Sequence, residues 1–201
     1  RFGETVLPLR DPDGMRLELV ASKAAEAIPG WANGDIPAEH AIRGFAGVTL
    51  WVGAPEPTAE ILTSGLGFAA AGSEDARHRF VSTGAPLGTT VDLRAAPGFL
   101  AGRQGKGTIH HVAFRAESDA AQAAMAKVLA GQGMQVTDQK DRNYFRSVYF
   151  REPSGVLLEI ATDDPGFAVD EPKATLGTAI KLPRWYEPRR GEIEAALPAL
   201  V

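Results

Sequence analysis

Asp11-Pro-Asp-Gly-Met-Arg-Leu-Glu18-Leu-Val-Ala21 and Glu152-Pro-Ser-Gly-Val-Leu-Leu-Glu159-Ile-Ala-Thr162 are two versions of one pattern: an acid-Pro-x-Gly turn, then a strand whose glutamate comes seven positions after the acid. Turn geometry explains the proline and the glycine. It does not explain a glutamate inside an otherwise apolar strand, where a carboxylate costs on the order of several kcal/mol unless it is paired, coordinated or facing water. The repeat therefore marks both a recurring structural unit and a chemical question.

Working outward, a second pair of segments matches at the beginnings of units. Phe45-Ala-Gly-Val-Thr-Leu-Trp-Val52 resembles Ile109-His-His-Val-Ala-Phe114; both are short and β-rich, and Gly44 or Gly107 precedes them. A helical stretch follows each, at 57–64 and at 118–131, where Ser118 can cap a run with Ala121, Met125, Val128 and Leu129 on one face. Three strands then follow in each case, near 68–71, 77–82 and 89–94, and near 135–137, 147–151 and 156–162. The expected fold class is α+β, built from tandem βαβββ modules. The chain divides into the end of an earlier module (1–21), a linker with Pro29, Gly30, Asn33, Gly34 and Pro37 (22–43), two full modules (44–95 and 107–162) and a tail (163–201) with a short helix from Pro188 to about Leu197. Because Arg1 leads directly into two strands joined by a turn, the expectation is an N-terminally truncated array.

Composition narrows the function classes. Twenty-one basic against 25 acidic residues, with no long like-charge run, leave no electrostatic footprint for nucleic acid or an anionic membrane. No apolar run approaches a bilayer span and none near the start resembles a signal peptide, so the reading is a soluble, cytoplasmic protein. With no cysteine, any metal must be held by nitrogen and oxygen ligands.

If the last strand of a βαβββ unit lies beside its first, His111 and Glu159 fall near matching positions on one side of the sheet. By alternation His111 shares a face with Ile109 and Ala113, and Glu159 with Leu157 and Ala161. Imidazole plus carboxylate suits a divalent iron, manganese or zinc ion, and one more histidine would complete a facial triad. His40 in the linker and His78 between Arg77 and Arg79, on a strand read as exposed, are poor choices for it. Two plain strand histidines beside a salt-bridged Glu159 remain equally open on the residues alone.

The stretch Gly107 to Phe114, together with Asp141-Arg-Asn-Tyr-Phe-Arg-Ser-Val-Tyr-Phe-Arg151 and the run on to Asp163, resembles the vicinal oxygen chelate superfamily. More narrowly it is similar to the hydroquinone-type ring-cleaving dioxygenases. The likeness extends through Asp164-Pro-Gly-Phe167, Leu176-Gly177 and Arg190-Gly-Glu-Ile-Glu-Ala-Ala-Leu-Pro198. It implies four βαβββ units and an extradiol-type ring-cleaving oxidoreductase. Its Fe(II) would be held by a histidine of the first unit plus His111 and Glu159, and Mn(II) accepts the same ligands. It implies further roles for His110 as a proton shuttle, Arg142 as a stabiliser of an anionic oxygen and Tyr149 as a hydrogen-bond donor to substrate or oxygen. The implied partners are a small aromatic substrate, O2, and the missing N-terminal module or a second copy. Relatives often carry histidine where Ala46 stands, so the 44–95 unit is expected not to bind metal, and Glu18 reads as vestigial or structural. Two rivals share the fold: a glyoxalase-like isomerase or lyase with Glu18 as an extra ligand, and a non-enzymatic protein that sequesters an aromatic drug.

Overall fold

The computed structural model describes residues 1–32, 34–98, 105 and 108–198; Asn33 and Gly107 of the sequence reading lie outside them. The chain opens with a hairpin, β1 (Thr5–Arg10) and β2 (Arg16–Ala21), paired antiparallel. Its Asp11 turn and the Glu152 turn make the same hydrogen bonds. In each, the acid's N–H donates to the carbonyl four residues on, its carbonyl accepts from the glycine N–H, and its carboxylate accepts from the amide four residues on, at 2.7 Å from Met15 and 2.8 Å from Val156. The acid is in the motif because it closes the turn.

Two four-stranded sheets follow, each with a helix between its first and second strands. The first contains β3 (Gly47–Val52), β4 (Ala69–Glu74), β5 (Arg77–Val81) and β6 (Thr90–Ala95), in the order β3-β6-β5-β4. Between β3 and β4 runs α1 (Pro55–Glu60), continued by one π-helical turn (Ile61–Gly65). The second sheet contains β7 (Val112–Ala116), β8 (Lys140–Asp141), β9 (Arg146–Arg151) and β10 (Leu157–Thr162), in the order β7-β10-β9-β8, with α2 (Asp119–Gly131) after β7. In both, last strand pairs parallel with first: Thr49 opposes Asp92, and Ala113 opposes Glu159. A tail of short 3-10 turns ends in α3 (Arg190–Ala196). Among the described residues no helix is long and apolar enough to cross a membrane.

Alternation assigns the core. Leu158 and Ile160 on β10 and Val148 and Phe150 on β9 point toward Leu129 of α2, while Leu50, Val52, Val91 and Leu93 pack with Leu62 and Phe68. Leu66, Val112, Phe114 and Val156 touch both clusters, so the two sheets share one apolar interior. Glu152 is buried in the same seam, where its carboxylate accepts the Thr58 hydroxyl proton at 2.5 Å. That contact ties the turn of one sheet to the helix of the other.

Several expected details change. The strand read from Ile109 begins at Val112, because its partner β10 begins at Leu157 and the first parallel pair is Leu158 with Val112. The strand read at 135–137 is not regular: Thr137 donates to the Tyr149 carbonyl, yet it is the Thr137 hydroxyl, not its carbonyl, that accepts the Tyr149 N–H, so the ladder stops and resumes at β8. Ser118 caps α2 as expected, its hydroxyl accepting from Ala121 at 3.1 Å. Val128 is exposed, and Gln122 takes the inward place, donating to the Ile160 and Arg146 carbonyls at 2.7 and 3.0 Å. The strand holding Arg77 and Arg79, read as exposed, is half-buried.

Candidate functional site

Glu159 sits in the middle of β10 and is only 2% exposed. Its neighbours Leu158 and Ile160 face the core, so alternation turns its carboxylate to the opposite face, between Ala113 and Tyr149. Ala113 is small, which leaves room above the sheet. Two groups reach the carboxylate: the His111 Nε2 stands 2.6 Å from one oxygen, and the Tyr149 hydroxyl donates to the other at 2.7 Å. Neither brings a fixed positive charge. A carboxylate this buried must be compensated by hydrogen bonds, by a proton or by a cation.

His111 precedes β7 by one residue and keeps the phase of Ala113, so its ring projects over Glu159 and meets Tyr149 edge-on, 5.8 Å between centroids. A third of its side chain remains exposed, at 33%. His110 lies beside it, with the two Nδ1 atoms 3.0 Å apart. Arg142 comes from the turn between β8 and β9. Its guanidinium donates to the Tyr149 hydroxyl and the Ser147 hydroxyl, each at 3.3 Å, and its carbon lies 5.4 Å from the Tyr149 ring centre. Four of the five residues singled out in the sequence, His111, Arg142, Tyr149 and Glu159, thus meet on one face of the second sheet, and His110 lies beside His111. The arrangement can hold a divalent ion through an imidazole nitrogen and a carboxylate oxygen, and it surrounds that point with a phenol, a second imidazole and a guanidinium. Among the described residues no group of three His, Asp or Glu side chains could hold a metal ion. The donors present fit two corners of a metal site.

The corresponding place in the first sheet was not foreseen. Asp92 occupies the register of Glu159, opposite Arg79 where Glu159 has Tyr149, and is also 2% exposed. Arg79 grips it through two nitrogens at 2.8 and 3.1 Å, Arg77 through one at 3.1 Å, and Arg1 stands at 3.8 Å. Glu4 and Glu18 close the outer side, on Arg79 at 2.6 Å and Arg1 at 2.5 Å. The hydrogen bond from Arg1 holds the Glu18 carboxyl below its ordinary range. Glu18 is therefore an ion-pair residue of the hairpin dock. The signal for Asp92 was present as Val91-Asp92-Leu93, the same apolar-acid-apolar triplet as Leu158-Glu159-Ile160.

Comparison with known proteins agrees with this architecture. The chain is 42% identical over 197 residues to the Bacillus subtilis (strain 168) protein named "Putative ring-cleaving dioxygenase MhqO", covering 98% of this chain and 62% of that one. It is 31% identical over 199 residues to a "Chlorohydroquinone/hydroquinone 1,2-dioxygenase" of Sphingobium indicum, covering 96% of this chain and 61% of that one. A crystal structure of a "putative dioxygenase" from Bacillus subtilis superposes with a TM-score of 0.89 at 40% identity, over 100% of this chain and 64% of that one. The chain thus spans less than two thirds of these relatives' length. Residues 44–160, which hold both four-stranded sheets except the last two residues of β10, match the family profile, and the chain belongs to the Glyoxalase/Bleomycin resistance protein/Dioxygenase superfamily.

Proposed function

We propose that the chain is the metal-bearing part of an Fe(II)-dependent, extradiol-type ring-cleaving dioxygenase acting on a hydroquinone or catechol. The observation that carries this reading is the Glu159 carboxylate, buried and joined to the His111 imidazole with no Lys or Arg paired to it among the described residues. The names of the relatives support the reaction class. His111 and Glu159 would hold the ion, and a histidine from protein beyond this chain would be the third ligand. Iron, or manganese with the same ligands, would supply electron transfer between the aromatic diol and O2.

The remaining work falls to side chains. His110, whose imidazole can act as a general base, takes the substrate hydroxyl proton. Arg142 stabilises the negative charge that this leaves on oxygen, and its contact with Tyr149 fixes both groups in place. Tyr149 donates to Glu159 in the structure and can redirect that hydrogen bond toward oxygen.

In this reading the two four-stranded units are the third and fourth of four, and the hairpin ends the second. Leu7 pairs with Leu19 and Leu9 with Leu17, giving one exposed apolar strip on the hairpin that another unit, or a second copy, would cover. The test is oxygen uptake by the complete protein, loaded with iron, on adding hydroquinone. Stoichiometric uptake with ring-opened product supports the assignment; tight aromatic binding without oxygen consumption overturns it.

A further inference from the structure

The motif Asp164-Pro-Gly-Phe167 has no part in the chemistry above, yet it lands against the turn that carries Arg142. That turn is weakly supported by its own strands. β8 is an edge strand of two residues, paired only as Lys140 with Ser147 and Asp141 with Arg146. The turn beyond it is closed by one backbone bond, Arg142 N–H to the Phe145 carbonyl at 2.9 Å, and passes through Asn143 at φ 68°. So short a ribbon does little to hold a long, partly exposed arginine in one rotamer.

The tail supplies what the ribbon lacks. Where β10 ends, Thr162 accepts the Arg146 N–H at 3.0 Å, and Asp163 pairs with Arg115 at 2.5 Å, so the exit of the tail is set. Gly166, at φ 87°, then turns its N–H onto the Tyr144 carbonyl at 2.8 Å. Phe167 stacks on the Tyr144 ring, 5.0 Å between centroids and 21° from parallel, and the Tyr144 hydroxyl donates to Asp170 at 3.1 Å. Three different contacts from one tail segment converge on the residue two positions after Arg142.

We infer that Tyr144, Phe167 and Asp170 are positioning residues: the segment 163–171 clamps the β8–β9 turn and thereby holds the Arg142 guanidinium on the Tyr149 hydroxyl. The inference rests on the proposed function only for its effect on turnover. In the complete iron-loaded protein, Phe167→Ala lowers kcat about tenfold by misplacing Arg142, while iron content stays at wild-type level and KM stays within about twofold. Phe167→Tyr, which can still stack, restores kcat. On an Arg142→Gln background Phe167→Ala causes no further loss, because the group it positions is gone. Additive losses, or an unchanged kcat, overturn the clamp. Amide hydrogen exchange reads the clamp without any reaction. Phe167→Ala should speed exchange of the Arg142 amide about tenfold or more while the Val148 and Ile160 amides keep their protection. Oxygen uptake failing in the wild type while this exchange effect holds defeats the proposed function and leaves the clamp standing; an unchanged Arg142 amide defeats the clamp.

Discussion

At the same register of two similar sheets the chain buries two carboxylates and surrounds them differently. Asp92, opposite Thr49 and Arg79, is neutralised by two guanidinium groups and sealed by the N-terminal hairpin. Glu159, opposite Ala113 and Tyr149, is met by a phenol and an imidazole instead. The position corresponding to His111 is Gly47, immediately before Val48 as His111 is immediately before Val112. A β-carbon there would come 2.3 Å from the Thr90 carbonyl. The first sheet pairs one residue further than the second at this end, Gly47 with Thr90, and there the Thr90 backbone lies too close for a side chain on residue 47 without a shift. One scaffold thus closes a salt bridge around one carboxylate and sets an imidazole and a phenol against the other, according to what stands on the neighbouring strands.

The largest effect is expected at His111 and Glu159, the proposed metal ligands. His111→Ala or Glu159→Ala in the complete protein should remove iron and reduce oxygen uptake by about 10³-fold or more, since each deletes one proposed ligand. Metal analysis beside the rate decides it: a full equivalent of iron in either variant means that residue is not a ligand. Making the second site resemble the first should act almost as strongly. Tyr149→Arg puts a guanidinium against Glu159, which then becomes a salt-bridge acceptor, and iron affinity should fall by about 10²-fold or more at unchanged thermal stability.

Asp92→Ala should give the opposite pattern. It strands Arg77 and Arg79 without their shared acceptor and should cost about 3–5 kcal/mol in urea unfolding, with iron content preserved; an iron-free but stable variant would reverse the assignment of the two carboxylates. His110→Gln should lower turnover by about 10²-fold with iron intact, because it removes a proton acceptor rather than a ligand. Smallest is a pH effect on the hairpin. Glu18 is held below its ordinary 4.5 by Arg1. A lowered carboxyl stabilises the dock above its unfolded value and loses that contribution as pH falls through the folded one. Proteolysis within Thr5–Ala21 should therefore increase only in acid, below the ordinary carboxylate range, while β9 and β10 stay protected.

The sequence by itself determined much of this molecule. The acid-Pro-x-Gly turns, the capped helix at Ser118 and the alternating apolar residues of β9 and β10 are local patterns, and local geometry follows directly from them. The pairing of His111 with Glu159 was also legible, because two strands of known phase needed only to be neighbours. Tertiary structure decided the rest. Arg77, Arg79 and His78 read alike along one strand, and only the register with β6 showed that both arginines close on Asp92. Gln122 in place of Val128 on the inner face of α2 depended on the carbonyls of Arg146 and Ile160, far away in the chain, which its amide meets. The physical reason is common to each case. Periodicity reports which way a side chain points from its own backbone, whereas the charge and hydrogen-bond partners that meet it are fixed by strand order and register, which are set by contacts between residues distant in sequence.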